Sequence, residues 1–164
     1  MLKIKLALLL VVVLTVPSFA QTSQDTATIE GVMKAYYEGV SGPPGKRDAN
    51  RILNLFAPGG KIKIDLSGDI PQHAIAKDYL YTESFLTIST DFFEREISRD
   101  EQRFGNMANV ISTYGISDAM ENTDYTARGV TIFEMVKHNG RWWILSTMWQ
   151  RESEEFPLPA HLLD

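Results

Sequence analysis

Two carboxylates spaced two residues apart are the first candidates for chemistry in this sequence. Glu94 and Glu96 lie in a predicted β-strand, so their side chains share one face while Arg95 points to the other. Two carboxyl groups on one face can divide the work of a general acid and a general base. A solvated face with cross-strand partners such as Arg103 or Arg128 explains the same pattern. Both interpretations stay open on the sequence alone.

Glu134 is a carboxylate among apolar neighbours. In a predicted hairpin it shares a face with Trp143 and Leu145. A buried carboxylate must pair with a cation or carry a raised pKa, and Arg128 and Arg151 are the cations that could reach it. A structural ion pair and a catalytic acid both fit this arrangement.

His73 precedes a predicted helix and is the histidine considered as a general base, with a surface position as the alternative. His138 and His161 belong to a hairpin tip and to the C-terminal tail. No second ligand follows at a metal-binding spacing, so no metal site is predicted. The sequence has no cysteine, no nucleophile elbow and no glycine-rich phosphate loop, and no cofactor is expected.

The first 20 residues have the order of a cleavable secretory signal peptide. Lys3 and Lys5 precede an apolar run over residues 6–16, which Pro17 and the small-residue sequence ending at Ala20 follow. A run of about 11 residues is too short for a stable membrane span. We therefore expect cleavage after Ala20 and export, with a periplasm favoured over the open exterior and no stable membrane insertion.

The rest of the chain is expected to form one domain over residues 21–152, followed by a tail over residues 153–164. Removal of Lys3 and Lys5 changes the net charge from −5 to −7, and no basic run remains. Nucleic acid is therefore excluded as an expected partner. Stability must come from packing, since there are no disulfides.

Apolar residues recur at helical spacing from Ile29 to Val40, which predicts a first helix. Asp48 is placed to cap a second helix with an apolar face ending at Phe56, and Pro58-Gly59-Gly60 would terminate it. Alternation over residues 61–66 predicts a strand. A short third helix is expected over about residues 75–85. Further strands are expected over residues 92–98, 107–116, 126–137 and 141–150.

Asn139-Gly140 between two apolar runs predicts a tight β-hairpin. Regular pairing from that turn assigns alternate residues to one face, namely Val130, Ile132, Glu134, Val136, Trp143, Leu145, Thr147 and Trp149. Both faces are mainly apolar, so each needs a cover. Helices and an internal pocket can cover one face, and a partner subunit the other.

This element order resembles the nuclear-transport-factor-2-like (NTF2-like) superfamily, in its SnoaL-like branch. The segments that carry the resemblance are Ala35-Tyr36-Tyr37-Glu38, Leu55-Phe56-Ala57, Arg103-Phe104-Gly105-Asn106, Val110-Ile111-Ser112-Thr113-Tyr114, Arg128-Gly129 and Arg141-Trp142-Trp143-Ile144 through Trp149. The resemblance implies an α+β, cone-like roll in which N-terminal helices pack on a curved, mainly antiparallel sheet around an apolar cavity. Members commonly dimerise through the sheet, but they include many enzymes and noncatalytic modules, so the fold implies no single reaction.

The ketosteroid-isomerase-like members of that superfamily offer counterparts for two residues. They use a first-helix tyrosine and a protonated late-strand acid as oxyanion donors, and a carboxylate as base. By resemblance Tyr36 takes the place of the tyrosine and Asp65 lies within one residue of the base. The late-strand acid has no counterpart here, and strand alternation places Asp65 on the solvent side with Lys61 and Lys63.

The expected function is binding of a small, largely apolar molecule by an exported homodimer. If the cone is hollow, part of its aromatic set lines the cavity and favours a flat or apolar ligand. The candidate ligand contacts are Tyr36, Phe56, Tyr114, Arg128, Trp143 and Trp149. The alternatives are a cofactor-independent isomerase, dehydratase or hydrolase, with Tyr36, Asp65, His73 and Glu134 as catalytic candidates, and a protein-interaction module with a filled cone.

Overall fold

A computed structural model describes residues 24–65 and 72–163, so the predicted signal peptide lies outside the described residues. The helices are α1 (Ile29–Val40), α2 (Ala49–Leu53), α3 (Ala76–Leu80), α4 (Glu83–Leu86) and a 3-10 helix (Ala160–Leu162). The strands are β1 (Gly45–Lys46), β2 (Phe56–Asp65), β3 (Gln72–Ile75), β4 (Thr87–Ile88), β5 (Phe93–Phe104), β6 (Met107–Ser117), β7 (Ala127–His138) and β8 (Arg141–Arg151). Within the described ranges, no helix has the length and apolar character that crossing a membrane requires.

One curved sheet of six strands carries the fold, in the order β3-β2-β8-β7-β6-β5. Its neighbours pair antiparallel except β2 and β8, which run parallel. The short strands β1 and β4 form a separate pair. The predicted α+β class with a mainly antiparallel sheet is confirmed.

Helix α1 lies on the concave face of the sheet, as its apolar spacing predicts. Thr28 caps the helix, since its side-chain oxygen accepts a hydrogen bond from the Gly31 amide at 3.0 Å. Tyr36 packs edge-on against Phe133 of β7, with 5.0 Å between the ring centroids. Because Phe133 is fully buried, this contact joins the helix to the centre of the sheet.

The predicted hairpin between β7 and β8 is confirmed. Asn139 and Gly140 have φ values of 50° and 80°, and His138 pairs with Arg141 across them. Two consecutive positive φ angles fit the twist of the flanking strands, which explains the choice of Asn-Gly.

The predicted facing of β8 is wrong beyond Ile144, because Leu145 forms a β-bulge. Met135 pairs with Ile144, but the next residue back, Glu134, pairs with Ser146. One extra residue reverses the side-chain alternation that follows it. Trp149 therefore lies opposite Thr131, on the concave face, instead of opposite Val130.

The prediction that Pro58-Gly59-Gly60 ends a helix is also wrong. Asp48 caps α2 as expected, accepting from the Arg51 amide at 3.1 Å, but α2 stops at Leu53. Strand β2 begins at Phe56 and runs through the three residues, and its register with β8 shifts there. Proline is tolerated at such an irregularity because the ladder needs no N–H from it.

The remaining elements depart from the sequence predictions in extent. The predicted helix over about residues 75–85 forms two short helices, α3 and α4, separated at Tyr81-Thr82. The strand predicted over residues 92–98 continues to Phe104. Residues 99–103 are charged or polar, so the hydrophobic pattern gives no indication of this extension.

Candidate functional site

A cavity of about 820 Å³ lies between α1, the α3–α4 segment and the concave face of the sheet. This volume falls within the range of small-molecule sites. Most of its described wall is apolar or aromatic, and the charged residues in that part of the wall are Glu94 and Arg151. The lining residues are Tyr36, Val40, Ile62, Tyr79, Leu80, Ser84, Phe85, Ile88, Phe92, Glu94, Tyr114, Ile116, Thr131, Trp149, Gln150, Arg151 and Phe156.

Glu94 presents a carboxyl group to this cavity with its backbone fixed. The Ser41 hydroxyl, just beyond α1, donates to the Glu94 carbonyl at 2.8 Å and accepts from its amide at 2.9 Å. The side chain makes no hydrogen bond or ion pair with any residue that the structure describes. Burial raises the pKa of Glu94 to about 7, although the nearby charge of Arg151 opposes the shift.

Glu96, two residues further along β5, differs from Glu94 because its carboxylate has partners. Its carboxylate accepts from the Ser112 hydroxyl at 2.6 Å and from Arg99 Nε at 2.9 Å. Tyr37 shares the same network through a 2.7 Å hydrogen bond between its hydroxyl and that of Ser112. Glu96 is therefore a structural ion-pair partner of Arg99, and the two glutamates do not act as an equivalent pair.

Three tyrosines from three elements surround Glu94: Tyr36 of α1, Tyr79 of α3 and Tyr114 of β6. Burial raises the pKa of each phenol, and the charge of Glu94 raises it further. A hydrogen bond and the charge of Arg151 partly offset this effect at Tyr114. All three hydroxyls thus stay protonated at neutral pH and can donate hydrogen bonds to a ligand.

Gly129 makes room for Tyr114 at the cavity wall. A Cβ at this position would lie 2.4 Å from the Tyr114 hydroxyl oxygen and 2.4 Å from the Gln150 carbonyl oxygen. Any larger residue would therefore displace the tyrosine or the neighbouring strand. This close approach gives the Arg128-Gly129 segment a role in shaping the site.

Tyr79, Phe85 and Trp149 form an aromatic wall of the cavity. The Tyr79 ring centroid lies 6.2 Å from that of Trp149 and 5.8 Å from that of Phe85. Phe156, from the tail, contributes to the lining although half of its surface is exposed. The tail then reaches the convex face, where the Thr113 hydroxyl donates to the Leu162 carbonyl at 2.6 Å. The described part of the tail therefore packs on its own chain.

The cavity brings together three of the ligand contacts predicted from the sequence: Tyr36, Tyr114 and Trp149. Phe56 is a core residue that does not line the cavity. Trp143 lies elsewhere, with the Arg141 guanidinium 3.6 Å above its ring centroid.

Arg128 likewise does not line the cavity. Its Nε donates to the Glu152 carboxylate at 2.8 Å, and this pair occupies the edge of the fold where β8 ends. The guanidinium of Arg128 is thus engaged in a charge-assisted contact with Glu152.

Of the catalytic candidates other than Tyr36, His73 and Glu134 do not line the cavity. His73 is exposed on β3. Glu134 is exposed on the convex face and accepts a hydrogen bond from Ser146, so it pairs with neither of the arginines considered. Asp65 ends β2 opposite Gln72, and its side chain lies outside the described set. In the described ranges no group of three or more histidine, aspartate or glutamate side chains is placed to hold a metal ion.

The sequence pattern does not distinguish Glu94 from Glu96 as a cavity residue, and it indicates Arg151 only as a possible partner for Glu134. One signal in the sequence favours Glu94. It lies two residues from the apolar Phe92, so strand alternation puts both side chains on one face, and both line the cavity. Tyr79 and Phe85 carry no such signal, because their segment forms short helices without a regular apolar period.

The pKa of Glu94 predicts a pH-dependent stability difference between the native chain and Glu94→Gln. The folded carboxyl binds its proton up to about pH 7, whereas an unperturbed glutamate loses it near 4.5. The contribution of this carboxyl group to the free energy of unfolding is therefore complete below pH 4.5 and is lost as the pH rises through 7. We expect Glu94→Gln to exceed the native protein in free energy of unfolding near pH 8 by more than about 1.4 kcal/mol, and to match it near pH 4.

Urea denaturation of both proteins at the two pH values measures this difference. Glu121→Gln, which removes an exposed loop carboxylate, is the control and should show no such change. An equal difference at both pH values would mean that Glu94 is solvated like an ordinary surface acid.

Comparison with known proteins supports the fold without indicating an activity. No protein-family profile and no curated protein matches the sequence. An NTF2-like protein of unknown function from Shewanella baltica is 15% identical, with 84% of this chain and 99% of that chain covered at a TM-score of 0.53.

Two further solved structures give the same result. An NTF2-like protein of unknown function from Methylobacillus flagellatus is 12% identical, with coverages of 85% and 97% and a TM-score of 0.50. A hexachlorocyclohexane dehydrochlorinase of type 2 is also 12% identical, with coverages of 87% and 95% and a TM-score of 0.55. The chain thus has the NTF2-like fold that its sequence resemblance predicts.

Proposed function

We propose that this chain, which has the NTF2-like fold, is an exported binding domain for a small and largely apolar molecule. The observation that carries the proposal is the cavity of about 820 Å³ with aromatic walls and a few polar groups. Sites of this composition bind ligands through apolar burial and orient them by a small number of hydrogen bonds. The open cavity also argues against a protein-interaction module with a filled cone.

The cavity offers a few polar groups that can orient a ligand. Glu94 has unused hydrogen-bonding capacity, and Tyr36 and Tyr79 can act as donors. Trp149, Phe85 and other apolar lining residues offer a surface for the body of the ligand. A flat or ring-containing molecule with one polar end matches this distribution.

Native mass spectrometry of the protein produced from the full sequence tests three parts of the proposal together. Cleavage after Ala20 would support export, and cell fractionation would distinguish a periplasm from the exterior. A dimeric mass would support the proposed homodimer through the convex face, where Ile132 and Met148 are only partly covered. A reproducible small additional mass would identify the ligand class.

Filling the cavity should abolish binding. Ile116 of β6 lines the cavity, so Ile116→Trp is expected to weaken binding of the retained molecule, or of a fluorescent apolar probe, at least tenfold because it occupies the ligand's volume. Met120→Trp adds a similar ring to an exposed loop position and should leave binding unchanged. Equal binding by both variants would show that the ligand site lies outside this cavity.

A cofactor-independent enzyme is the second candidate, and one observation favours it: the carboxyl group of Glu94 lines the cavity together with three tyrosines, where burial raises its pKa to about 7. A carboxyl group with such a pKa can accept or donate a proton at neutral pH. The dehydrochlorinase among the structural neighbours gives this fold one enzyme by name. Glu94→Gln should then keep binding and lose turnover, whereas unchanged turnover would exclude this residue as the base.

A further inference from the structure

We infer that the molecule bound in this cavity carries a cationic nitrogen, a protonated amine or a quaternary ammonium, which the Glu94 carboxylate holds. This inference rests on the proposed binding function and specifies the polar end of the ligand. The apolar body of the ligand would lie along the aromatic wall formed by Tyr79, Phe85 and Trp149.

Glu94, half-buried at the cavity wall, lacks a partner for its carboxyl group among the described side chains. A buried carboxylate without a cation is costly, and folded chains normally pair it. This chain does so two residues away, where Arg99 and Ser112 satisfy Glu96. No described side chain hydrogen-bonds or forms an ion pair with the Glu94 carboxyl. A ligand cation would complete the site.

Arg151 does not fill this role. It is the other charged residue among the described lining residues, but it forms no ion pair with Glu94, is exposed, and hydrogen-bonds to Tyr114. Its charge lowers the pKa of Glu94 without overcoming the effect of burial. The carboxylate therefore stays available to a second cation within the cavity.

The surroundings of Glu94 are also aromatic. Aromatic rings attract cations through their negative faces, and quaternary ammonium groups are bound in this way in proteins. Tyr36, Tyr79 and Tyr114 come from three different elements and all interact with the charge of Glu94. A cation among these rings would be favoured both by the carboxylate and by the rings, whereas an anion would meet Glu94.

The groups that face Glu94 determine the expected pH dependence. They are Tyr36 and Tyr37 from α1, Tyr79 from α3, Tyr114 from β6 and Arg151 from β8. Burial raises the pKa of every one of these phenols, so none of them ionises near neutral pH. Protonation of Glu94 is then the event that removes the negative charge as the pH falls below 7. The affinity for a permanently charged cation should therefore also fall, by up to about tenfold for each pH unit below 7.

Titration calorimetry with three naphthalene derivatives tests the inference on the protein produced from the full sequence. The probes are 1-naphthylmethyl-trimethylammonium, the neutral 1-naphthylmethanol and the anionic 1-naphthoate. Near pH 8 we expect the cation to bind roughly tenfold more tightly than the alcohol. This preference should disappear near pH 5 and in Glu94→Gln, and it should persist in the control Glu121→Gln. Circular dichroism verifies that the variants are folded.

Each other outcome overturns a defined part of the argument. If cation and alcohol bind equally near pH 8, or if the preference survives in Glu94→Gln, the cationic ligand is excluded while the apolar binding function stands. Tightest binding of the naphthoate would identify Arg151 as the anchor and also exclude the cation. If none of the probes binds, the proposed binding function itself fails, and the inference fails with it.

Discussion

Replacing Arg47 by methionine is expected to lower the free energy of unfolding by about 3 kcal/mol or more. Arg47 is only 6% exposed, and its guanidinium donates to three backbone carbonyls: Val40 at 3.0 Å, Pro43 at 2.9 Å and Gly42 at 2.8 Å. Methionine fills similar space but donates no hydrogen bond. The Val40 and Pro43 carbonyls would lose this donor at a site that water reaches poorly, whereas the Gly42 carbonyl would keep the Phe92 amide at 3.1 Å.

The effect should extend to the cavity, because the same turn carries Ser41, which fixes the backbone of Glu94. Chemical denaturation measures the stability, and amide hydrogen exchange at Glu94 reports on the turn. Arg47→Lys is the matched comparison, since one ammonium group can satisfy only part of the three carbonyls and should give an intermediate loss. A methionine variant as stable as the native protein would show that water replaces the guanidinium at no cost.

Phe133→Ala should destabilise the protein by about 3–5 kcal/mol, as large-to-small changes of buried aromatic residues do. Phe133 is completely buried, and its ring supports Tyr36 at a centroid distance of 5.0 Å. The substitution would remove this contact and extend the empty space under the cavity wall. Ligand affinity should fall as well, because Tyr36 would no longer be held in position.

Phe104→Ala provides the control for that experiment. Phe104 is 81% exposed at the end of β5, so its loss should change the free energy of unfolding by less than about 0.5 kcal/mol. Thermal and chemical denaturation of both variants measure the contrast. Similar stabilities for the two would indicate that the interior of the cone collapses around the missing ring.

Local patterns were sufficient to predict the elements whose signals are complete within a few residues. Helix α1 follows from its apolar period, and the β7–β8 turn from Asn139-Gly140. The continuation of β2 through Pro58 was not predictable from local pattern, because it depends on parallel pairing with β8, more than 80 residues away. Pairing partners at such a distance leave no mark in the alternation of either strand.

The site was only partly predictable, because local patterns identify some of its residues and long-range packing determines the others. Tyr36 and Tyr114 follow from the sequence resemblance. Glu94 could not be separated from Glu96, since both occupy the same face of one strand. What distinguishes them is the position of Arg99 and Ser112, which satisfy only one of the two. Tyr79 depends on how a short irregular helix packs, which no periodicity encodes.

The bulge at Leu145 also has a consequence for how this protein can change during evolution. Leu145 is the one residue that the bulge adds to β8 relative to its pairing with β7. Loss of the single codon for Leu145 would make Ile144 and Ser146 consecutive in a regular ladder with the same partners, Met135 and Glu134, so that Trp149 would stay opposite Thr131. The composition of the cavity wall should thus survive this deletion, because the bulge absorbs a change of one residue in the length of β8.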